Sequence, residues 1–159
     1  MNETLRTPEA VVGALLVDPQ GRLFVARFTK RQGRYVIPGG HIDYSETAAQ
    51  ALVRETQEEA NLTPTAFRLF LVHERIFPPR YKDGRHHLLY LDFLVEAWEG
   101  ELQLDGEELY DGQWASPQEA LDLPLADTTR RLIKYYIAVG RDGPVRYLPD
   151  DLAAEGETD

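Results

Sequence analysis

The sequence predicts a layered α+β or mixed α/β domain. Two strand-like apolar runs split by a turn open the chain, an amphipathic helix stands between groups of strands, and a second helical period lies near the C-terminus. Ala10 to Val17 is a near-continuous apolar run ended by Asp18-Pro19-Gln20-Gly21, a turn sequence. Arg22 to Arg27 reads as a second strand, and the two are expected to pair as a hairpin. A basic stretch (Lys30, Arg31, Arg34) leads to Tyr35-Val36-Ile37 and the break Pro38-Gly39-Gly40. The period then becomes helical: Ser45 is the expected N-cap, Ala48, Ala49, Ala51 and Leu52 are good formers, and Asn61 with Pro64 marks the stop. Strands are expected around Phe67–His73, Leu88–Ala97 and Leu109–Ala115. Ser116-Pro117 starts a short helix, and Thr128 to Val139 carries Leu132, Tyr135, Tyr136 and Val139 at helical spacing.

The chain has 159 residues, enough for one domain that buries roughly two-thirds of the surface its unfolded form exposes. We place that domain at residues 1–142 and expect residues 143–159 to form a flexible acidic tail. There is no cysteine, which excludes disulfides, thiolate metal sites and a cysteine nucleophile. The longest apolar run is far short of the about 20 residues that span a membrane, so no membrane partner is expected. The opening Met1-Asn-Glu-Thr lacks the basic start and apolar stretch of a secretory signal, and a cytoplasmic location is expected. A formal charge of −10 argues against a nucleic-acid polymer as partner. Half of it comes from Asp150, Asp151, Glu155, Glu157 and Asp159, so the domain itself is only mildly acidic. A small anionic substrate remains compatible with that charge if a cation mediates. Oligomeric state is left open, a homodimer included.

The chemistry concentrates between Gly39 and Leu62. Measured from Glu46 on an ideal helix, Glu58, Glu55 and Glu59 fall near about 120°, 180° and 220°, one arc of about 100°. Leu52, Thr56, Ala49, Ala60 and Val53 fall in a separate arc, expected to face the core, while Ala48 and Ala51 leave room above the carboxylates. Clustered like charges weaken a helix, and a hard divalent cation such as Mg²⁺ or Mn²⁺ reverses the sign of that interaction. Arg54 can orient a neighbouring carboxylate, and Gly39-Gly40 can bring backbone close and aim a carbonyl at the metal.

The segment resembles the Nudix box, G-x5-E-x7-R-E-U-x-E-E-x-G-U with U apolar, through Gly40, Glu46, Arg54, Glu55, Glu58, Glu59 and Leu62. The six charged-or-glycine identities among these, in a fixed window, arise by chance at a rate on the order of 10⁻⁷ per window. Two positions depart from the pattern. Thr56 replaces an apolar residue, and its hydroxyl is expected to bond back to the carbonyl four residues earlier. Asn61 replaces glycine, and asparagine tolerates the left-handed conformation of a helix end. Pro38-Gly39-Gly40, Arg22–Arg27 and Leu94–Glu101 extend a MutT-like likeness to about residues 8–136.

The resemblance implies an α/β/α sandwich with a mixed sheet and hydrolysis of a nucleoside diphosphate linked to a moiety X, with Mg²⁺ or Mn²⁺. A nucleoside triphosphate or an ADP-ribose-like compound would be the substrate. By position, Glu55, Glu58 and Glu59 become metal ligands, joined by the Gly39 carbonyl, with Arg54 and Glu46 in support. One of these glutamates or a carboxylate outside the box would activate water, Glu108 first and Glu107 next. Arg27 and His41, with Gly39 and Gly40, would meet the substrate. Pro78, sixteen residues past the box, has a spacing associated with ADP-ribose hydrolases, and Phe77 or Tyr81 could stack on a base. A non-catalytic nucleotide-sensing domain on the same fold is the alternative.

Overall fold

The computed structural model describes residues 6–76 and 86–150. Strands β1 (Glu9–Leu16), β4 (Gly39–His41), β5 (Thr63–Ile76), β6 (His87–Glu99) and β8 (Arg146–Leu148) form a five-stranded sheet in the order β4-β1-β6-β5-β8. The sheet is mixed: β1 runs parallel to β6 and β5 to β8, while the β1–β4 and β5–β6 pairs are antiparallel. A smaller sheet holds β3 (Tyr35–Val36), β2 (Leu23–Phe28) and β7 (Leu109–Ala115). Helix α1 spans Ala48–Ala60, α2 Pro117–Leu121 and α3 Asp127–Val139. No helix among the described residues is long and apolar enough to cross a membrane.

β1, inside the main sheet, is buried on both faces, and period-two alternation sorts the side chains of the sheet's centre into two cores. Val12, Ala14 and Leu16 pack with Ala51, Leu52 and Ala60 of α1 on one face. Leu15, Val17 and Leu94 pack with Leu132, Ile133 and Tyr136 of α3 on the other. The result is the expected α/β/α sandwich.

The expected β1–β2 hairpin is corrected. The turn is present, with Asp18 accepting from the N–H of Gly21 at 2.9 Å, but only Val17 and Leu23 bridge antiparallel. Beyond that bridge β1 joins β4 and β6 while β2 joins β3 and β7, because both faces of β1 are claimed by helices and its edges by other strands.

Ser45 is not the helix cap. It sits at φ 70°, and the cap is Thr47, whose hydroxyl accepts from the Gln50 N–H at 3.0 Å while Gln50 Oε1 accepts from the Thr47 N–H at 2.9 Å. This reciprocal pair satisfies two donors that the first turn would leave open. Glu46 therefore lies in the turn ahead of α1, not on it. At the other end Asn61 adopts φ 59°, ψ 28°, and the Thr56 hydroxyl donates to the Leu52 carbonyl at 2.7 Å, both as expected.

The stretch after residue 142 also differs. β8 adds to the sheet edge beside β5, and Asp150 is not solvated: its Oδ2 accepts from the Ile76 N–H at 2.6 Å and its Oδ1 faces Arg75 at 3.5 Å. Arg75 is buried and also pairs with Asp127 at 3.0 Å, so its guanidinium draws counter-charge from the following chain. Residues 151–159 lie outside the described residues. Thr47→Ala should lower stability by about 1 kcal/mol in denaturant unfolding, whereas Ser45→Ala should stay within about 0.5 kcal/mol of wild type.

Candidate active site

The site begins at a strand edge that opens with two glycines. β4 is the end strand of the main sheet, and Gly39 lies opposite Gly13 of β1. The flanking bonds, from Ala14 N–H to Pro38 O at 2.8 Å and from Ile42 N–H to Ala10 O at 3.0 Å, place Gly39 at a position that does not bond to β1. Its N–H and C=O therefore point off the edge, and the N–H donates to Glu59 Oε1 at 3.0 Å. A Cβ on Gly39 would overlap the Val12 carbonyl, and one on Gly40 would overlap the Glu55 carboxyl. The glycine pair is thus required by close approach on both sides.

This closeness corrects the expected helix faces. Ala51 is buried in the core, Ala49 is exposed, and Glu59, on the same side as Leu52 and Thr56, is 3% exposed. The glutamate arc and the core arc overlap because α1 passes over glycine and needs no clearance for side chains.

Arg54 organises the remaining acids. Its Nε and Nη2 donate to Glu46 Oε2 and Oε1 at 2.7 and 2.9 Å, its Nη1 to Glu55 Oε1 at 2.8 Å, and its Nη2 also to the His41 carbonyl at 3.0 Å. Glu58, largely exposed, lies 3.4 Å from Nη1. The bidentate guanidinium, with the Asp43 N–H, holds the Glu46 carboxyl down at about 2. Burial acts the other way on the inner glutamates. It pushes Glu59 up to about 9, against the Gly39 hydrogen bond, with the charges of Glu55, Glu108 and Asp105 adding to the rise. Burial likewise raises Glu55 despite Arg54.

These residues line a cavity of about 390 Å³. Gly39, Gly40, His41, Glu55, Glu58, Glu59 and Glu108 are brought together there. Glu108 reaches it because Asp105 Oδ1 accepts from the N–H groups of Glu108 and Leu109 at 3.3 and 3.0 Å, while the Asp105 N–H donates to the Glu59 carbonyl at 3.0 Å. Glu107 is exposed and outside the lining. Arg54 stands behind Glu55 and Glu58, in contact with both, and Glu46 stands behind Arg54; neither is in the wall. Arg27 is not brought in: it donates to the Gly33 carbonyl at 2.9 Å and lies over the Tyr35 ring at 4.7 Å. His41 does line the cavity, held by Glu9 at 3.0 Å, and the other oxygen of Glu9 meets His86 at 2.6 Å. Phe77, Pro78 and Tyr81 lie outside the described residues.

Sequence reasoning missed Lys30, Arg31, Tyr90, Asp92, Asp105, Thr128 and Thr129, which also line the cavity. Lys30 and Arg31 stood out as a basic patch before the glycine pair, and Asp105 begins the Asp-Gly turn before Glu108. The others carry no local signal.

The donors are all oxygen, which suits a hard divalent cation. Glu59 offers a buried carboxylate with one N–H donor, so its charge is poorly compensated within the chain. Among the described residues no three acidic or histidine side chains are converged to enclose an ion, since Arg54 draws Glu55 and Glu58 while Gly39 holds Glu59.

Comparison with known proteins agrees with this geometry. The family model described as NUDIX domain matches residues 7–136. The chain is 46% identical over 79 residues to an 8-oxo-dGTP diphosphatase of Escherichia coli, a match over 50% of this chain and 55% of that protein. It thus spans about half the length of that relative. It is 30% identical over 132 residues to an ADP-ribose pyrophosphatase of Methanocaldococcus jannaschii, covering 80% of this chain and 72% of that one. Among solved structures, the MutT protein of Bacillus halodurans superposes with a TM-score of 0.71 at 21% identity, over 89% of this chain and 88% of that chain. With the box residues gathered at the glycine edge and the family model spanning most of its length, this chain belongs to the Nudix superfamily and is MutT-like.

Proposed function

We propose that this chain hydrolyses the pyrophosphate bond of a nucleoside diphosphate linked to a moiety X, in the presence of Mg²⁺ or Mn²⁺. The observation that carries the reading is Glu59, a buried carboxylate aimed at the Gly39 edge among Glu55, Glu58, Glu108 and Asp105. Glu55, Glu58 and Glu59, with the Gly39 carbonyl, would hold the ion, and Arg54 and Glu46 keep those carboxylates in place. When bound, the ion supplies charge neutralisation at the phosphates and favours in-line attack.

The chain's own residues do the rest. Glu108, fixed by the Asp105 turn, takes the proton of the attacking water at its carboxylate. Lys30 and Arg31 line the cavity and offer cationic groups to phosphate oxygens. His41 stands at the same wall with Glu9 behind it. Substrates of two kinds fit the reading, nucleoside triphosphates and ADP-ribose-like compounds. The names of the E. coli and M. jannaschii relatives support one each. Product analysis across both classes in ¹⁸O water identifies the substrate and the attacked phosphorus. Tight binding without product would instead make this a sensing domain.

Two outcomes are expected of variants. Glu58→Gln should lower kcat by about a hundredfold or more at saturating metal, and near wild-type turnover would defeat the assignment. Glu59 tests the electrostatics. Without the ion its carboxyl binds a proton up to about 9 in the folded chain and only up to 4.5 when unfolded. The folded state therefore holds the extra proton between those values, and stability falls as pH rises through that window. Glu59→Gln should flatten the dependence of Tm on pH there. It should also abolish the rise in Tm that Mn²⁺ or Mg²⁺ produces in the upper half of the window.

A further inference from the structure

One row of the main sheet crosses the cavity floor. Gly39 of β4 lies opposite Gly13 of β1, and Gly13 lies opposite Asp92 of β6. Over the intervening Gly13 lie Asp92 Oδ1 itself and Ile37 Cδ1, and two strand spacings separate Gly39 from Asp92, about 10 Å. That is the span a nucleoside covers from its phosphate to the edge of its base. Asp92 is 4% exposed and lines the cavity. Its Oδ2 meets Nε2 of His73, on β5, at 2.6 Å, and His73 is fully buried against Tyr90.

The pairing sets the proton. His73 Nδ1 is buried and has no hydrogen-bond partner among the described residues, so the ring proton is assigned to Nε2 and donated to Asp92. Oδ1 of Asp92 lies over Gly13, where any Cβ would overlap it, and among the described residues it accepts no hydrogen bond. A buried carboxylate is costly to keep in an otherwise apolar wall. Here one oxygen is fixed and the other is left as an acceptor next to Ile37, in a cavity whose lining also holds Val11, Leu88 and the hydroxyl-bearing Thr128 and Thr129.

We propose that Asp92 is a specificity-determining residue that accepts a hydrogen bond from the amino group of a nucleobase, and that His73 is the positioning residue that aims it. The inference rests on the pyrophosphohydrolase reading of the acidic end of the cavity. An exocyclic amine, as on adenine, guanine or cytosine, donates to Oδ1. The carbonyl oxygen that replaces the amine in the deaminated base would face a carboxylate with no proton between them.

The test compares amino and oxo partners: adenosine with inosine, guanosine with xanthosine, cytidine with uridine. Triphosphates are used for kcat/KM, and the monophosphates are titrated calorimetrically, which needs no turnover. Wild type should favour the amino member of at least one pair by about tenfold or more in both measurements. In Asp92→Asn the amide oxygen takes the His73 proton and the NH₂ group faces the cavity, so the ratio should fall to about one or invert. His73→Gln should shrink the ratio, an effect that a purely structural histidine would not produce. Wild-type ratios within about twofold of unity for every pair would overturn the inference. So would a folded Asp92→Asn that keeps the wild-type ratio, or, should that variant not fold, a His73→Gln that keeps it. Failure of the hydrolytic reading looks different: no triphosphate is turned over, while the monophosphate ratios still report on Asp92.

Discussion

The close approach of α1 to a strand edge that opens with two glycines governs the rest of this molecule. Gly39 and Gly40 leave backbone bare where the helix crosses: Glu55 occupies the space a Gly40 side chain would have filled, and Glu59 accepts from the Gly39 N–H. A carboxylate buried in that way is stable only if something answers its charge. The Gly39 N–H answers part of it, and the site opens toward whatever answers the remainder. The same glutamate accepts at its main-chain carbonyl from Asp105, so the loop carrying Glu108 is tied to the helix residue it works beside.

From that edge the cavity runs along a single row of the sheet. Absence of a side chain recurs at Gly13, and the room it leaves is taken by Ile37 and by the Asp92 carboxylate that His73 holds. One end is acidic and backed by arginine, while the other presents one oriented acceptor among apolar walls and threonines. A substrate that is charged at one end and flat at the other matches such a floor.

Local features of the site were legible in the sequence, and cross-strand ones were not. Gly40, Arg54, Glu55, Glu58 and Glu59 fall within one short segment, so their spacing survives translation into space with little error. Thr56 and Asn61 were read correctly for the same reason: their partners are four residues away or their own backbone. Asp92 and His73 are 19 residues apart, and Arg75 and Asp150 are 75 apart, so only strand pairing brings them together. The hairpin expectation failed because adjacency in sequence was taken for adjacency in a sheet, whereas β1 and β2 part after one bridge. Ser45 and Thr47 are both good caps by type, and the positive φ at Ser45 decided between them. Arg27 has the chemistry of a phosphate ligand, but its guanidinium is spent on Gly33 and Tyr35.

Arg54 touches four carboxylates and the His41 carbonyl without entering the cavity wall. An internal counter-ion of this kind lets the acid-rich helix assemble during synthesis with no mineral supplied from outside. The three box acids nearest the guanidinium are thereby held in register by the chain's own chemistry.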